Sequence, residues 1–447
     1  MKKKLLLLIL FLCPLIVNAS PIKATEYIEK IAADAGGNKT SMEMIDDTGL
    51  FYDNTVDNNL RYAGVDPNNY IVFNNELWRI IGVFNNIDDG TGKKETRLKI
   101  VRDESIGNYA VSSESYGTNW EDSILMHLLN DGAYYNRTTG KYYFSYATPE
   151  AEVDFSNNGL TERYKSLIGN ALWKLGNSIA VENASVMYGN EHSGLDINGN
   201  EETWIGKVGL YSASDFGFSV DTNNSESRNI CLSNNLYDWG KAELKYCSLN
   251  SFLGKNDLYP ESCRTAWVLS YRDNSVLRKH LLPQDNYSIS NVIYWGTHQT
   301  DNKGIYPTVF LKSDVNILYG DGSIDNPYLV GYPNTVTLRL SKDRGSLLSL
   351  LNIKEEDIDE VFIDDNSIIK IDNNKIIPLK VGEAHVLCYS IDDYYILNIV
   401  VVDESVITNN TLILKKKKKK KGLISKYNKK LLTKKLIVFI FITISSY

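Results

Sequence analysis

Short apolar runs bounded by Asn, Asp and Gly dominate this chain, and helical spacing of apolar residues surfaces in only a few places. Tyr70-Ile71-Val72-Phe73 and the run from Leu77 through Trp78, Ile80 and Ile81 to Phe84 flank Asn74-Asn75. That arrangement predicts a β-hairpin with a two-residue turn. Residues 97–102 alternate basic and apolar side chains and predict a strand that pairs nearby. A short amphipathic helix is expected over residues 25–33, ending near Gly36-Gly37. A second is expected from a cap at Asn119, with Asp122 as its N3 residue, Trp120, Ile124 and Leu128 on one face and Gly132 as its stop. A third is expected over residues 161–174, where Leu167, Ile168, Ala171 and Leu172 share a face before Gly176. Residues 208–218, 267–271, 292–295 and 308–312 supply short strands.

Helices scattered among many short strands predict a compact α+β domain with long excursions rather than alternating βαβ units. Such loops on a rigid scaffold are where binding tends to reside. After Gly320-Asp321-Gly322 and Asn326-Pro327 the texture changes. Residues 336–340, 361–363, 368–371, 376–379, 385–390 and 395–402 read as closely spaced strands, a small all-β sandwich. The expected division is therefore a domain over 47–332, preceded by a helix and linker over 20–46, and a second domain over 334–404.

The two ends change the picture. Lys2, Lys3 and Lys4 precede an apolar run from Leu5 to Val17 and then Asn18-Ala19, the pattern of a secretory signal peptide over 1–19. Thirteen apolar residues are short of the roughly 20 that span a bilayer. The tail over 405–447 contains seven consecutive lysines, Lys415 to Lys421, and a short apolar stretch from Leu436 to Ile444. It reads as a degraded cell-wall anchor or a weak membrane-surface contact, either of which would associate the chain with the cell wall or membrane, or as residues out of frame after an adenine-rich lysine run. An intact frame on resequencing would remove the last reading.

With leader and tail set aside, residues 20–404 hold 33 Lys and Arg against 55 Asp and Glu, a net charge of −22 that the whole-chain value of −7 conceals. Such a field repels phosphate backbones, which argues against nucleic acid as a partner. Seven Trp and 29 Tyr provide ample core material, so acidity here does not imply disorder. The body retains Cys231, Cys247, Cys263 and Cys388. In an exported chain pairing is the default and three connectivities are open, with Cys231 and Cys247 the leading disulfide candidates. Their spacing lacks CxxC and neighbouring His, which disfavours zinc.

Several ordered blocks together carry a resemblance: Arg61-Tyr62-Ala63-Gly64, Trp78-Arg79-Ile80-Ile81-Gly82, Asn119-Trp120-Glu121-Asp122-Ser123, Gly206-Lys207-Val208-Gly209-Leu210, Cys231-Leu232 and Leu311-Lys312-Ser313-Asp314-Val315. Over roughly residues 50–331 the chain resembles a family of uncharacterised tryptophan-rich surface domains of gut-associated Gram-positive bacteria, with a more distant similarity to C-type-lectin-like domains. The resemblance implies a pairing of Cys231 with Cys247. It also implies an arginine ahead of Pro307, where this chain has Tyr306. The pilin-like leader of some relatives is missing, which removes the main support for a pilus role. Residues 334–403 resemble the group 2 bacterial immunoglobulin-like domain, through Asp364 to Ile371, Lys380-Val381-Gly382-Glu383-Ala384 and the final strand. In such proteins that module is a spacer or adhesive unit.

Candidate chemistry is sparse. The five histidines, His127, His192, His280, His298 and His385, have no partner at metal or nucleophile spacing. No HExxH, GxSxG, GxGxxG or P-loop occurs. Asp196-x-Asn198-x-Asn200 opens like a calcium loop, but Glu201 and Lys207 stand where the turn glycine and the bidentate acid belong. Calcium is thus the one weak cofactor reading, and no catalytic, cofactor or metal residue is assigned. Trp204, Trp239 and Trp295 could stack on sugars, although core packing is the commoner use. Glu121-Asp122 and Asp364-Asp365 read as caps or turns rather than a glycosidase pair. The expectation is an exported or cell-surface α+β protein, an irregular lectin-like domain followed by an immunoglobulin-like sandwich. Its expected role is adhesion or binding of an extracellular glycan or protein without catalysis. The alternatives are an enzyme on surface glycans or peptidoglycan, for which an acid pair facing a cleft would be the structural sign, and a structural pilus- or surface-layer-associated subunit.

Overall fold

The computed structural model describes residues 22–114, 119–143, 150–254, 265–272, 275–280, 293–294, 298–332, 334–340, 343–351, 358–390 and 393–402. The leader, the lysine-rich tail, Cys263 and Trp295 lie outside the described residues. The fold is mixed α+β and rich in strand. The chain divides at Pro333 into two compact units.

A ten-stranded sheet organises the first unit. Its centre is the expected hairpin. Tyr70–Phe73 pairs antiparallel with Glu76–Asp88, Phe73 opposite Glu76. Asn74 and Asn75 both take positive φ, 56° and 59°. Asparagine tolerates that conformation, and a tight two-residue hairpin turn with right-handed strand twist requires it twice. Lys94–Arg102 continues the sheet, then Pro307–Phe310, then Val208–Leu210. On the other side Tyr328–Gly331 runs parallel to Tyr70–Phe73, so the last strand of the unit closes beside this hairpin. A smaller sheet is built on Thr265–Arg272, flanked by Ser275–His280 and Lys303–Gly304.

The core beneath these sheets is aromatic. Trp78, Trp120, Trp239 and Trp267 have no exposed surface, and Trp173 and Trp204 are also buried. Trp120 meets Trp204 edge-on at 5.8 Å, and Phe73 meets Trp78 and Tyr164 at 5.0 and 4.9 Å. The helix Ala24–Asp34 lays Ala24, Ile28 and Ala32 against this core, as the 25–33 periodicity predicts.

Two helical expectations are corrected. The helix expected from Asn119 is Ile124–Asn130, because the Ser123 hydroxyl accepts the Met126 amide at 3.1 Å and caps it there, leaving Trp120 in the preceding turn. Gly132 then caps a further short helix, Ala133–Asn136. Over 161–174 only Glu162–Lys165 is helical, and Ala171–Lys174 is a strand paired with Thr203–Gly206. Tertiary hydrogen bonds override the 3.6-residue pattern: the Gly169 amide donates to the Phe310 carbonyl and the Trp173 indole to the Gly206 carbonyl. Residues 208–218 also divide. The strand ends at Leu210, and a capping box of Ser212 with Asp215 starts the helix Ala213–Phe218.

In the second unit Asn334–Arg339, Asp393–Val402, Gly382–Ser390 and Ile358–Ile363 form one sheet in that order. Gly345–Ser346, Lys375–Pro378 and Ile369–Asp372 form a second. Val336, Leu338, Ile369, Ile376, Val386, Leu397 and Ile399 fill its core. The short helix Leu347–Leu351 contributes Leu347 and Leu351, an element the period-two reading passes over.

Candidate functional site

The first unit carries a cleft of about 410 Å³ whose lining is nine polar or charged residues and one glycine. Four separate segments build it. The hairpin turn supplies Asn74, Asn75 and Glu76, and the end of Lys94–Arg102 supplies Arg102. Arg137 stands in the left-handed conformation that ends the helix Ala133–Asn136, Asp154 ends the strand Ala151–Asp154, and Asn157, Asn158, Gly159 and Thr161 follow it.

Hydrogen bonds fix these segments to one another. Asn74 donates to the Gly159 carbonyl at 3.2 Å and accepts the Thr161 amide at 2.9 Å, so the hairpin turn clamps the 157–161 loop. The Tyr164 hydroxyl donates to Asn75. Arg137 donates through Nε to the Ser156 carbonyl and through Nη2 to the Asn157 carbonyl. Gly159 is required by space: a Cβ there would lie 2.6 Å from the Tyr134 carbonyl and 2.8 Å from the Arg137 Cα.

The charges are arranged in pairs. Arg102 Nε contacts Glu76 Oε2 at 2.6 Å, both side chains being largely buried, while Nη1 donates to the carbonyls of Glu104 and Ser105. Burial alone would lower the Arg102 pKa, but the charge and hydrogen bond of Glu76 outweigh it and raise it. Asp154 is exposed, and its carboxyl is held below the usual carboxylate range by hydrogen bonds from Ser156. Tyr134 is fully buried. Its phenol pKa is raised by burial and then by Glu76. Its hydroxyl has no hydrogen-bond partner among the described residues. A buried hydroxyl without a partner costs about 1–3 kcal/mol and is uncommon in a folded protein.

A second charged cluster is sealed. Arg61 bridges Asp53 at 2.6 Å and Asp215 at 2.8 Å, and Lys99 meets Asp215 at 2.5 Å, all four side chains being buried. Phe84 and Phe218 flank the Arg61 guanidinium at 4.5 and 4.7 Å. Beside it, the buried Glu191 accepts hydroxyl hydrogen bonds from Ser214 and Ser270, and burial raises its pKa. At the edge of this region His192 contacts Asp57 at 3.0 Å through Nδ1 and Lys174 at 3.2 Å through Nε2.

The residues singled out in sequence fall elsewhere. Cys231 and Cys247 form the disulfide, with Cα atoms 5.5 Å apart, and Cys388 is a buried free thiol whose pKa burial pushes up to about 12. Asp196 closes on its own loop: Oδ1 accepts the amides of Asn198 and Asn200 and Oδ2 their side-chain amides. Among the described residues no group of three or more His, Cys, Asp or Glu is placed to hold a metal ion. Trp204 and Trp239 are buried and offer no stacking face. Asp364 accepts both the backbone and ring nitrogens of His385 at 2.7 Å, and Asp365 accepts the Ser367 amide. The cleft residues escape sequence reading because no spacing connects 74–76, 102, 137 and 154–161. The polar loop Ser156-Asn157-Asn158-Gly159 is the only local signal.

Comparisons of the chain with models of known protein families, with curated proteins and with solved structures find no match.

Proposed function

We propose that this is an exported surface protein that binds an extracellular glycan in the cleft between the 74–76 turn and the 154–161 loop, without catalysis. The observation that carries the reading is the cleft itself: an open, fixed cavity walled by amides, carboxylates and guanidinium groups rather than by the apolar side chains of most small-molecule sites. Exposed Asn157 and Asn158 offer a donor and an acceptor each, and the outer oxygen of Asp154 offers an acceptor. Such groups match the vicinal hydroxyls of a sugar. The signal-peptide pattern at residues 1–19 supports export, as does the disulfide. The likeness of residues 50–331 to tryptophan-rich surface domains and of 334–403 to immunoglobulin-like spacers supports a role in presentation at the surface.

Glu76 and Asp154 are two carboxylates in one cleft, the sign named for a glycan-cleaving enzyme. Their environments oppose it. A glycosidase needs one carboxyl held protonated near neutral pH. Here Glu76 is committed to Arg102, and Asp154 is held ionised by Ser156. Asp154 is therefore not poised to donate a proton, and Glu76 is engaged in its ion pair.

The test is binding of the full chain to an array of host and bacterial glycans, in calcium and in chelator, with reducing-end release followed in parallel. Retention of a defined glycan, loss of it in Asp154→Asn with Asn157→Ala, and no release of reducing ends are expected. Release of reducing ends that disappears in Glu76→Gln would overturn the non-catalytic reading.

A further inference from the structure

Three side chains that do not line the cleft are arranged for a different task. Lys174 ends the strand Ala171–Lys174, and His192 stands in the last turn of the helix Ala184–Ser193. Asp57 lies in the loop between the strands Leu50–Tyr52 and Leu60–Tyr62. We propose that these residues form a carbonyl-capture site, in which His192 relays the proton of the Lys174 ammonium and the freed amine takes an aldehyde as an imine. The site goes beyond glycan binding in the cleft and stands or falls independently of it.

Geometry carries the proposal. Asp57 meets His192 Nδ1 at 3.0 Å, and Lys174 Nζ meets Nε2 at 3.2 Å, so the imidazole bridges a carboxylate and an amine through its two nitrogens. That is the order of a carboxylate, imidazole and nucleophile relay, with an amine in place of the hydroxyl or thiol. The carboxylate is buried and anchored at both oxygens. The Tyr188 hydroxyl donates to Asp57 Oδ2 at 2.6 Å, and the Asn86 side-chain amide donates to Oδ1 at 2.9 Å. Tyr188, one turn earlier on the helix than His192, also stacks on the imidazole at 5.4 Å with 20° between the planes. A fixed carboxylate at Nδ1 keeps the proton there and leaves the Nε2 lone pair facing Lys174. Lys174 itself is exposed, so a small carbonyl compound can reach its nitrogen from solvent.

The surrounding charges support the relay. Burial lowers the Lys174 pKa; Asp57 and Asp88 oppose this, and Lys94 adds to it. Burial lowers that of His192 as well, opposed by Asp57 and reinforced by Lys174 and Lys94. The step balances without a further reagent. Nζ passes one proton to Nε2 and attacks the carbonyl carbon, and a second nitrogen proton moves to the carbonyl oxygen to give a carbinolamine. His192 returns its proton to that hydroxyl, which leaves as water, and the lysine nitrogen remains as a protonated imine.

The experiment treats the full chain with glyceraldehyde and cyanoborohydride, which traps the imine as a secondary amine, and locates labelled lysines by peptide mass mapping across a pH series. Lys174 is expected to label at least about tenfold faster than the exposed Lys370 and Lys380, since a positioned acid and base contribute about a hundredfold or more. Its rate should break downward as His192 gains a proton below about pH 6.5, a feature the other two lysines lack. His192→Gln and Asp57→Asn, with thermal melts to confirm folding, should bring Lys174 to the rate of Lys370 and remove that break. Loss of a merely structural contact would leave no such pH signature. Labelling of Lys174 in the unaltered protein at the rate of Lys370 and Lys380 would overturn the capture site. Fast labelling that both folded variants retain, break included, would overturn His192 as the relay and the proposal with it.

Discussion

Two clusters in the first unit each hold two cations and two carboxylates, and they serve opposite ends. Asp53, Arg61, Lys99 and Asp215 are buried, and their carboxylates are saturated: Asp53 accepts from Thr55, Asn59 and Arg61, and Asp215 from Arg61, Lys99 and Ser212. Glu76, Arg102, Arg137 and Asp154 face a cleft, and their outer oxygens and neighbouring amides have capacity to spare. Charge balance alone therefore does not identify a binding site. What separates the two is access: the sealed cluster is buried on every side, and the other lines a cleft. The sealed cluster ties Leu60–Tyr62, Lys94–Arg102 and the helix Ala213–Phe218 together, and the open one is held in place from behind so that its front is free.

The comparison breaks most sharply at Asp215. Asp215→Ala leaves Arg61 and Lys99 buried without their shared counter-charge, and a loss of about 3–5 kcal/mol in unfolding free energy is expected. Denaturant titration measures it. A change below about 1 kcal/mol would show that the cluster is wetter or looser than its burial implies. The disulfide comes next. Replacing Cys231 and Cys247 with Ser opens a loop of sequence separation 16 and should cost about 3 kcal/mol by the same measurement, without affecting glycan affinity. A smaller effect is expected at Glu76→Gln, which leaves the Arg102 guanidinium hydrogen-bonded to two carbonyls but deprives it of its charge partner. About 1–2 kcal/mol is expected there, because the pair is only partly screened. Equal losses at Asp215 and Glu76 would erase the distinction between sealed and open clusters.

How much of this was legible differs by element. The hairpin around Asn74-Asn75 was legible because two left-handed residues between apolar runs admit few other solutions, and the strand over 97–102 followed from its alternation. The helix over 161–174 was not. Leu167, Ile168, Ala171 and Leu172 satisfy a helical face, yet Ala171–Lys174 pairs with Thr203–Gly206, a partner some 30 residues away that no local period reports. The sealed cluster hid in plain strand patterns. Nothing local to Arg61 or Lys99 reports that Asp215, 154 and 116 residues on, meets them in the core. The cleft was hidden for the same reason, since its walls are assembled by the sheet and by the Asn74 clamp rather than by any motif.

Acid provides the finest separation. Burial would push the Asp215 carboxyl up, but Lys99 and Arg61 outweigh it and hold it at about 2. A carboxylate depressed in the folded state lends stability that is complete above its unfolded pKa and lost only as pH falls toward the folded value. The sealed cluster thus remains intact through mild acid, and its contribution goes between about pH 4 and 2. His192 titrates earlier. Burial lowers its pKa, and Lys174 lowers it further against the opposing pull of Asp57. Its neutral ring donates from Nδ1 to Asp57 and accepts from Lys174 at Nε2, an arrangement that a second ring proton would break. The unfolded chain then binds more protons than the folded one below about pH 6.5, so stability should decline as pH falls from there, before Asp215 is touched. Melting temperature against pH for the full chain and for His192→Gln measures this, with the variant expected to lose the decline just below pH 6.5 and keep the one below pH 4. A profile identical in both proteins would place the mild-acid sensitivity elsewhere than in the Asp57–His192–Lys174 chain.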